Sequence, residues 1–513
     1  MISDTAGRSQ DPRKETLDAP ADSPGEAAAD PSAALVASLV VVWSNNEPHR
    51  VGEVIFIGGR RGDKPGVIGR FDADFDYAGH DVLAPARVRP GDLRVGLPLE
   101  MPAYVSRVQL ELQAAPAAGI RVRNAGKARV RINTERELAR GESTVLEPGE
   151  TISIGDSALF LSTPRPSRLD APRFYPAGRA ARFGSPDDDG IVGESPAAWA
   201  LRDRIGFAGQ VTQHVVVHGP SGSGKELTAL AIHNISPRAR RAVVAQNASG
   251  IPPSLIEAEL FGNRQDYPNP GTPERRGLIG EAHGSTLFLD ELGQLPIELQ
   301  GKLLRVLDDG GEYRRLGVDE ALASDFRLVA ATNRPLSEIK EDLLARLKVS
   351  LAVTGLNTRR EDIPLFVVHL LRTMARRDGE KSVVERFTEA PATSGAYRVS
   401  LELIDALLRH DYTTNMRELE RLLLIALFSS TADRIELTPD LRKELRLPGG
   451  RTKSRTLAAK AAPEETSCDA VRAALDASGW NVTAAAATFG WSRFQMHRKM
   501  KACGLAPGED AAT

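Results

Sequence analysis

The stretch VVVHGPSGSGKE, Val215 to Glu226, constrains this chain more than any other. A run of β-branched residues leads at once into a glycine-rich turn and then into residues that favour helix. Gly219-x-x-x-x-Gly224-Lys225 has the spacing of a phosphate loop. In such a loop, here Gly219, Pro220, Ser221, Gly222, Ser223 and Gly224, the glycines let the available backbone N–H groups curl around phosphate oxygens. The helix start adds positive potential, and Lys225 reaches the β- and γ-phosphates. The pattern normally ends in a Ser or Thr whose hydroxyl binds Mg²⁺; here Glu226 stands in that place.

The partner of this loop follows in STLFLDEL, Ser285 to Leu292. It reads as a buried strand ending in two acids. Asp290 is the expected Mg²⁺ residue, acting through water, and Glu291 the residue that polarises the attacking water. The next strand, in FRLVAATNRP, ends in Thr332 and Asn333, a polar pair suited to sensing a γ-phosphate. Strands and helices alternate from Ile191 to about Leu445, so a parallel sheet is expected there. ATP and Mg²⁺ are the cofactors implied.

The chain has 513 residues, enough for about three domains. Residues 1–33 have no hydrophobic period and read as disordered. Residues 34–163 are short β-like runs split by Gly, Pro and Asn, the pattern of an all-β sandwich. A Pro/Arg/Gly-rich linker is expected over 164–190, a second over 446–466, and a small all-α unit over 467–505. No apolar stretch approaches the ~20 residues that span a bilayer, and the N-terminus lacks a signal-like apolar region. A cytoplasmic protein with no membrane contact is expected. Cys468 and Cys503 are the only cysteines, which suits a reducing compartment and argues against a disulfide scaffold.

KELTALAIHNISPRA, PSLIEAELFG, GSTLFLDELGQLP, LQGKLLRVLDDGGEYRRLG, EDLLARLKV, REDIP and NMRELERLL follow one another in an order that resembles bacterial enhancer-binding proteins. These are AAA+ ATPases that remodel sigma-54 RNA polymerase, and they too carry Glu at the place of Glu226. The resemblance implies an α/β core over 191–355, a helical lid over 356–445, and a hexameric or heptameric homo-oligomeric ring. It makes Asn247 the switch that restrains Glu291, Arg346 an arginine finger in the neighbouring subunit's site, and Arg417 a lid arginine touching nucleotide. Where the family has a further arginine this chain has Lys340. Where it has WPGN before the lid arginine this chain has Tyr412-Thr413-Thr414-Asn415.

The same resemblance exposes one departure. Between Phe261 and Gly277 the family carries the flexible motif GAFTGA, which presses on sigma-54. This chain keeps the length but reads Asp266-Tyr-Pro-Asn-Pro-Gly271. The prolines at Pro268 and Pro270 stiffen the tip, and engagement of sigma-54 is therefore in doubt. Two other readings stay open: an ATPase acting on a different target, and a DNA-bound scaffold that only holds nucleotide.

Residues 467–505 resemble a Fis-type helix-turn-helix, with helices over 469–477, 482–489 and 493–502. Residues 446–505 hold ten Lys/Arg against four Asp/Glu, a local positive excess suited to double-stranded DNA. Arg493, Gln495 and Arg498 are placed to face base edges, and Lys499 and Lys501 to meet phosphates. The N-terminal sandwich resembles a forkhead-associated domain, a reader of phosphothreonine proteins. Arg70, Ser106 and Arg107 match its phosphate-holding residues, while Gln109 stands where the family has His.

Overall fold

The computed structural model describes residues 35–58, 64–252, 254–388 and 396–447. In the C-terminal region it describes 467–478, 480, 482–489, 491, 496, 499–500 and 502–505. The N-terminal segment expected to be disordered lies outside these residues, as does 448–466 of the second linker. The chain divides into two compact units, residues 1–447 and 448–513.

The first unit begins with a two-sheet β-sandwich. One sheet has the order Arg136–Leu138, Val130–Ile132, Thr151–Ile154, Ala158–Ser162, Ser38–Ser44, Val54–Phe56, Ala86–Arg89, Asp92–Val95. The other has the order Ser143–Leu146, Ile120–Asn124, Leu110–Ala114, Gly66–Ile68, Asp81–Val82. Strand Ile120–Asn124 shows the two-residue period of a half-buried strand: Ile120, Val122 and Asn124 point inward, Arg121 and Arg123 outward. Strand Ser38–Ser44 breaks that pattern, because all of its residues are buried. Leu39 and Val41 enter the sandwich core beside Ile55, Leu110 and Phe160. Val40, Val42 and Trp43 join a different core, built with Leu403, Ile404 and Leu407 of the helical lid.

The sandwich is therefore packed on the lid. The contact helix, Leu401–Arg409, is capped by Ser400, whose hydroxyl accepts from Leu403 N. On it Asp405 is fully buried and accepts from Thr151 Oγ1 at 2.5 Å and Thr134 Oγ1 at 2.7 Å. Burial pushes its carboxyl up, opposed by Arg409 and by both hydroxyls. Arg131 to Glu402 and Arg409 to Glu135 close the rim.

Segment 164–190 does not run free as a linker. Arg165–Pro166 pairs with Leu35–Val36 as a short ribbon. Buried Arg165 donates to Glu361 Oε2 at 2.8 Å and Glu194 O at 3.0 Å, and Arg202 holds Asp187 at 2.8 Å. Its composition looks solvated, but each of these charges has a buried partner, which composition alone does not reveal.

The α/β core has a five-stranded parallel sheet in the order Val244–Asn247, Thr286–Asp290, Arg327–Thr332, Val215–His218, Val349–Ala352. The lid follows, with its longest helix over Asn415–Ser429. The Tyr412–Asn415 turn that opens this helix is organised by Glu418. Its carboxylate accepts from Thr413 N, Thr413 Oγ1 and Thr414 N, and its other oxygen meets His410 Nε2 at 2.8 Å. Burial alone would raise the Glu418 carboxyl. These hydrogen bonds outweigh it and hold the group at about 2, against an ordinary 4.5.

The C-terminal unit contains helices Cys468–Ala477 and Val482–Thr488, around a core of Val471, Leu475, Ala485, Trp491 and Met496. Most of the expected 493–502 helix lies outside the described residues. The expectation of a reducing compartment with no disulfide framework meets a correction here: Cys468 and Cys503 form a disulfide. Folding brings the ends of this unit together, with the two Cα atoms 5.6 Å apart, so a separation of 35 residues is bridged. Among the described residues no helix is long and apolar enough to cross a membrane.

Two expectations follow from this packing. Asp405→Ala leaves the Thr134 and Thr151 hydroxyls without their acceptor and should cost about 1–3 kcal/mol in urea unfolding of the full chain. Asp405→Asn, which keeps an acceptor, should cost less; equal stability of all three proteins would refute the clasp. For Glu418 the folded value is depressed, so its stabilisation is complete above its ordinary value and lost as pH falls toward 2. Wild type should lose more stability than Glu418→Gln between pH ~5 and ~3, measured by denaturation midpoints.

Candidate nucleotide site

The phosphate loop sits at the end of the interior Val215–His218 strand and opens helix Lys225–Ile235. Gly222 and Gly224 take φ of 69° and 98°, the left-handed region that favours glycine. A Cβ on Gly222 would collide with Thr414 O, so the loop and the lid turn approach too closely for a side chain. Lys225 is buried and donates to Gly219 O at 3.1 Å and Pro220 O at 3.2 Å. Burial pulls its ammonium down, opposed by the charges of Glu291 and Asp290. Ser223 Oγ is buried without a partner, and Glu226 is exposed in the first helical turn.

The lid meets the loop directly. Asn415 Nδ2 donates to Ser221 O at 2.8 Å, Met416 N to Gly222 O at 3.1 Å, and Arg417 Nη1 to Ser221 Oγ at 3.2 Å. Arg417 is thus at the phosphate loop.

Asp290 and Glu291 close the other side. Parallel register sets Asn247 opposite Asp290. The Asn247 amide donates to Asp290 Oδ2 at 3.3 Å, so in this arrangement it restrains Asp290 rather than Glu291. The reason is local: Asn247 Oδ1 is held by Ser249 N and Oγ, which fixes the direction of its amide. Glu291 takes a left-handed φ of 57°, and its Oε2 is buried with no partner. A strained backbone that carries an unpartnered buried carboxylate oxygen fits a group waiting for a water. Asn333 is exposed just past the Arg327–Thr332 strand, and Thr332 O accepts from Gly219 N at 3.2 Å.

Arg346 is not brought to these groups. It ends helix Glu341–Arg346, is exposed, and pairs with Asp308. Sequence reasoning missed a neighbouring pocket of about 120 Å³, lined by Ile191, Val192, Leu227, Phe366 and Met416 among others. The apolar Ile191-Val192 pair after Gly190, itself at φ 83°, was the available signal.

The segment from Phe261 to Gly277 is closed on itself. Buried Asn263 donates from Nδ2 to Arg264 O, Tyr267 O and Pro273 O at 2.8, 3.3 and 2.9 Å. Asp266 has φ 59°, so it takes the conformation glycine would favour, and its Oδ1 accepts from Gly271 N at 2.8 Å. Arg264 N donates to Leu316 O and Leu316 N to Gly262 O, tying the loop to a second one. The Tyr267 ring lies on Gly317, where an added Cβ would come within 2.7 Å of it.

In the sandwich, Arg70, Ser106 and Arg107 do converge. Arg70 N donates to Ser106 O, and Arg70 Nε is buried without a partner. Arg107 Nε, however, donates to Asp72 at 2.7 Å and its head stacks on Phe75. Buried Gln109 ties this region together, accepting from Ser106 N and Ala128 N and donating to Asn124 Oδ1. Of the expected DNA residues only Lys499 is described, part-buried in helical backbone. Arg493, Gln495, Arg498 and Lys501 lie outside the described residues.

Residues 191–352 match the Sigma-54 interaction domain, and residues 462–502 match the Bacterial regulatory protein, Fis family. The chain is 34% identical to the transcriptional regulatory protein ZraR of Salmonella typhimurium over 334 residues, covering 63% of this chain and 70% of that protein. It is 37% identical to the Nif-specific regulatory protein of Klebsiella oxytoca over 263 residues, covering 50% of this chain and 46% of that protein. The crystal structure of NtrX from Brucella abortus in complex with ADP is similar at 29% identity and a TM-score of 0.44, covering 61% of this chain and 70% of that one. With a phosphate loop, paired strand-end acids and a lid turn in one site, the chain belongs to the sigma-54 enhancer-binding family of transcription regulators, and its central domain is an AAA+ ATPase.

Proposed function

We propose that this protein is an ATP-hydrolysing, DNA-bound regulator of transcription whose ATPase is controlled by its N-terminal sandwich. The unpartnered Glu291 Oε2 beside buried Lys225 carries the hydrolytic reading. Lys225 and the Gly219–Glu226 loop hold the β- and γ-phosphates, and Arg417 reaches them from the lid. Among the described residues no cluster of three or more His, Cys, Asp or Glu could hold a metal by itself. Asp290 would hold Mg²⁺ together with phosphate oxygens, the usual way Mg²⁺ is bound. When bound, Mg²⁺ neutralises the charge that develops on the phosphates. Glu291 draws the proton of the attacking water toward its free oxygen, and Asn247 positions Asp290 beside it. Asn333 reports on the γ-phosphate. Arg346 lies outside its own site, which supports a role in a neighbouring subunit of a ring; its planar fork suits transition-state charge better than Lys340 does.

The Fis-type unit implies double-stranded DNA as a partner, read by Arg493, Gln495 and Arg498 and steadied by Lys499 and Lys501. Control by the sandwich rests on its shared core with the lid and on Asp405. Recognition of a phosphothreonine protein through Arg70, Ser106 and Arg107 requires Arg107 to leave Asp72.

A second reading concerns the target. The loop that would meet sigma-54 is stitched by Asn263 and Asp266, and its one aromatic is laid on Gly317. This favours an ATPase whose motion is not delivered to sigma-54 in the family's usual way.

Lys225→Ala should lose nucleotide binding, and Glu291→Gln should bind ATP but not turn it over. Filter binding and phosphate release separate the two, and wild-type turnover by Glu291→Gln would overturn the assignment. Wild-type protein should hydrolyse ATP yet fail to drive open-complex formation by purified sigma-54 holoenzyme. Replacement of 266–271 by GAFTGA should restore sigma-54 capture in a transition-state mimic. Stable capture by the unaltered protein would return it to the ordinary activators.

A further inference from the structure

A crevice remote from the phosphate loop opens where three parts of the first unit meet. Strands Ala86–Arg89 and Asp92–Val95 of the sandwich form one side, the turn around Phe183 another, and the lid helix Ile363–Met374 the third. Its volume is about 680 Å³, within the range of small-molecule sites. An equally large crevice around Arg409 and Arg446 mixes its cations with Asp411, Glu418 and Glu444. The first is different: Arg87, Arg89, Arg94, Arg182 and Arg372 line it against a single carboxylate, Asp92.

These arginines fall into two groups. Arg87 donates to Glu53 at 2.9 Å and Arg89 to Glu194 at 3.0 Å, and both heads lie over the Phe183 ring. They are neutralised and fixed. Arg94 pairs only with the adjacent, exposed Asp92, a contact of little energetic weight. Arg182 and Arg372 have no ion-pair partner among the described residues. Arg94, Arg182 and Arg372 come from the sandwich, the connecting segment and the lid respectively. Folding thus gathers like charges at a half-open cleft, an arrangement that an anion between them would relieve.

We propose that this crevice binds a small phosphate-bearing ligand, clamped by Arg94, Arg182 and Arg372. Guanidinium forks match phosphate oxygens in paired hydrogen bonds, and Val51, Leu365 and Val368 supply an apolar wall for the rest of the ligand. Because the three arginines belong to three parts of the unit, the complete site exists only when sandwich and lid are docked. The ligand therefore stabilises the docked arrangement by mass action.

The test is calorimetric titration of full-length protein carrying Lys225→Ala, which removes phosphate binding at the ATPase loop. Inorganic pyrophosphate, adenosine diphosphate and citrate are compared at matched ionic strength. One pyrophosphate per chain is expected, with citrate bound at least about tenfold more weakly. Adding Arg182→Ala and Arg372→Ala should loosen pyrophosphate about a hundredfold, as expected for two charged hydrogen-bonding groups. It should also abolish the rise in melting temperature that pyrophosphate gives. Tighter binding of adenosine diphosphate than of pyrophosphate would identify a nucleotide, and equal binding a free polyphosphate; both support the site. Absence of pyrophosphate binding at millimolar concentration, binding unchanged in the arginine variant when its own melting temperature is unaltered, or citrate bound as tightly, would overturn it.

Discussion

One strand with two hydrophobic faces organises the first unit. Ser38–Ser44 sends Leu39 and Val41 into the sandwich and Val40, Val42 and Trp43 into the lid. A strand at the surface of a sensor domain would alternate apolar and polar residues; this one cannot be exposed on either side without uncovering a core. The consequence is mechanical. The sandwich is not tethered to the ATPase by a flexible segment but is part of the body that the lid belongs to. From the same lid helix the chain passes through Tyr412 and Glu418 to Asn415 and Arg417, which hydrogen-bond Ser221 of the phosphate loop. Any movement of lid against core must either carry the sandwich along or separate a buried seam.

How much of this was legible depended on whether the signal was local. The phosphate loop, the strand ending in Asp290 and Glu291, and the lid arginine are local patterns, and the structure gathers them at one site. Even the YTTN turn was legible as a departure, although its repair by Glu418 was not, because four donors converge on a carboxylate only after the turn has folded. The docking of sandwich on lid was invisible. SLVVVWS predicts a buried strand whether it is covered by one neighbour or two, and Asp405, read in sequence, is one more polar residue of an amphipathic helix. The buried ties of segment 164–190 were out of sight for a related reason. Its charges show no partners in the sequence until folding sets Arg165 on the distant Glu361 and Asp187 on Arg202.

Those buried ion pairs have a particular use here. Removing paired charges from water is costly, and hydrophobic replacements are often equally stable. Here Arg165, Arg89 and Arg202 join the connecting segment and sandwich edge to Glu361, Glu194 and Asp187 with defined geometry. An apolar seam alone could slide; a fork held at both ends cannot. Glu361 illustrates the balance. Burial pushes its carboxyl up even with Arg165 beside it, so its charge depends on that partner staying in place.

The closed loop between Phe261 and Gly277 follows the same logic at the opposite end of the machine. A loop with glycine at its hinges can present its tip in one nucleotide state and withdraw it in another. Asp266 takes a glycine-like backbone conformation here but locks it with a side-chain bond to Gly271, so the geometry survives without the freedom. Asn263 adds three carbonyl contacts beneath the tip, and backbone bonds to Leu316 join it to the neighbouring loop. Motion generated at Glu291 would then reach this surface as displacement of a preformed patch rather than the unfolding of a flexible tip. A partner suited to such a patch gains from its low ordering cost and needs a matching shape in advance. That is a different recognition problem from one posed by a mobile tip that must be ordered on contact.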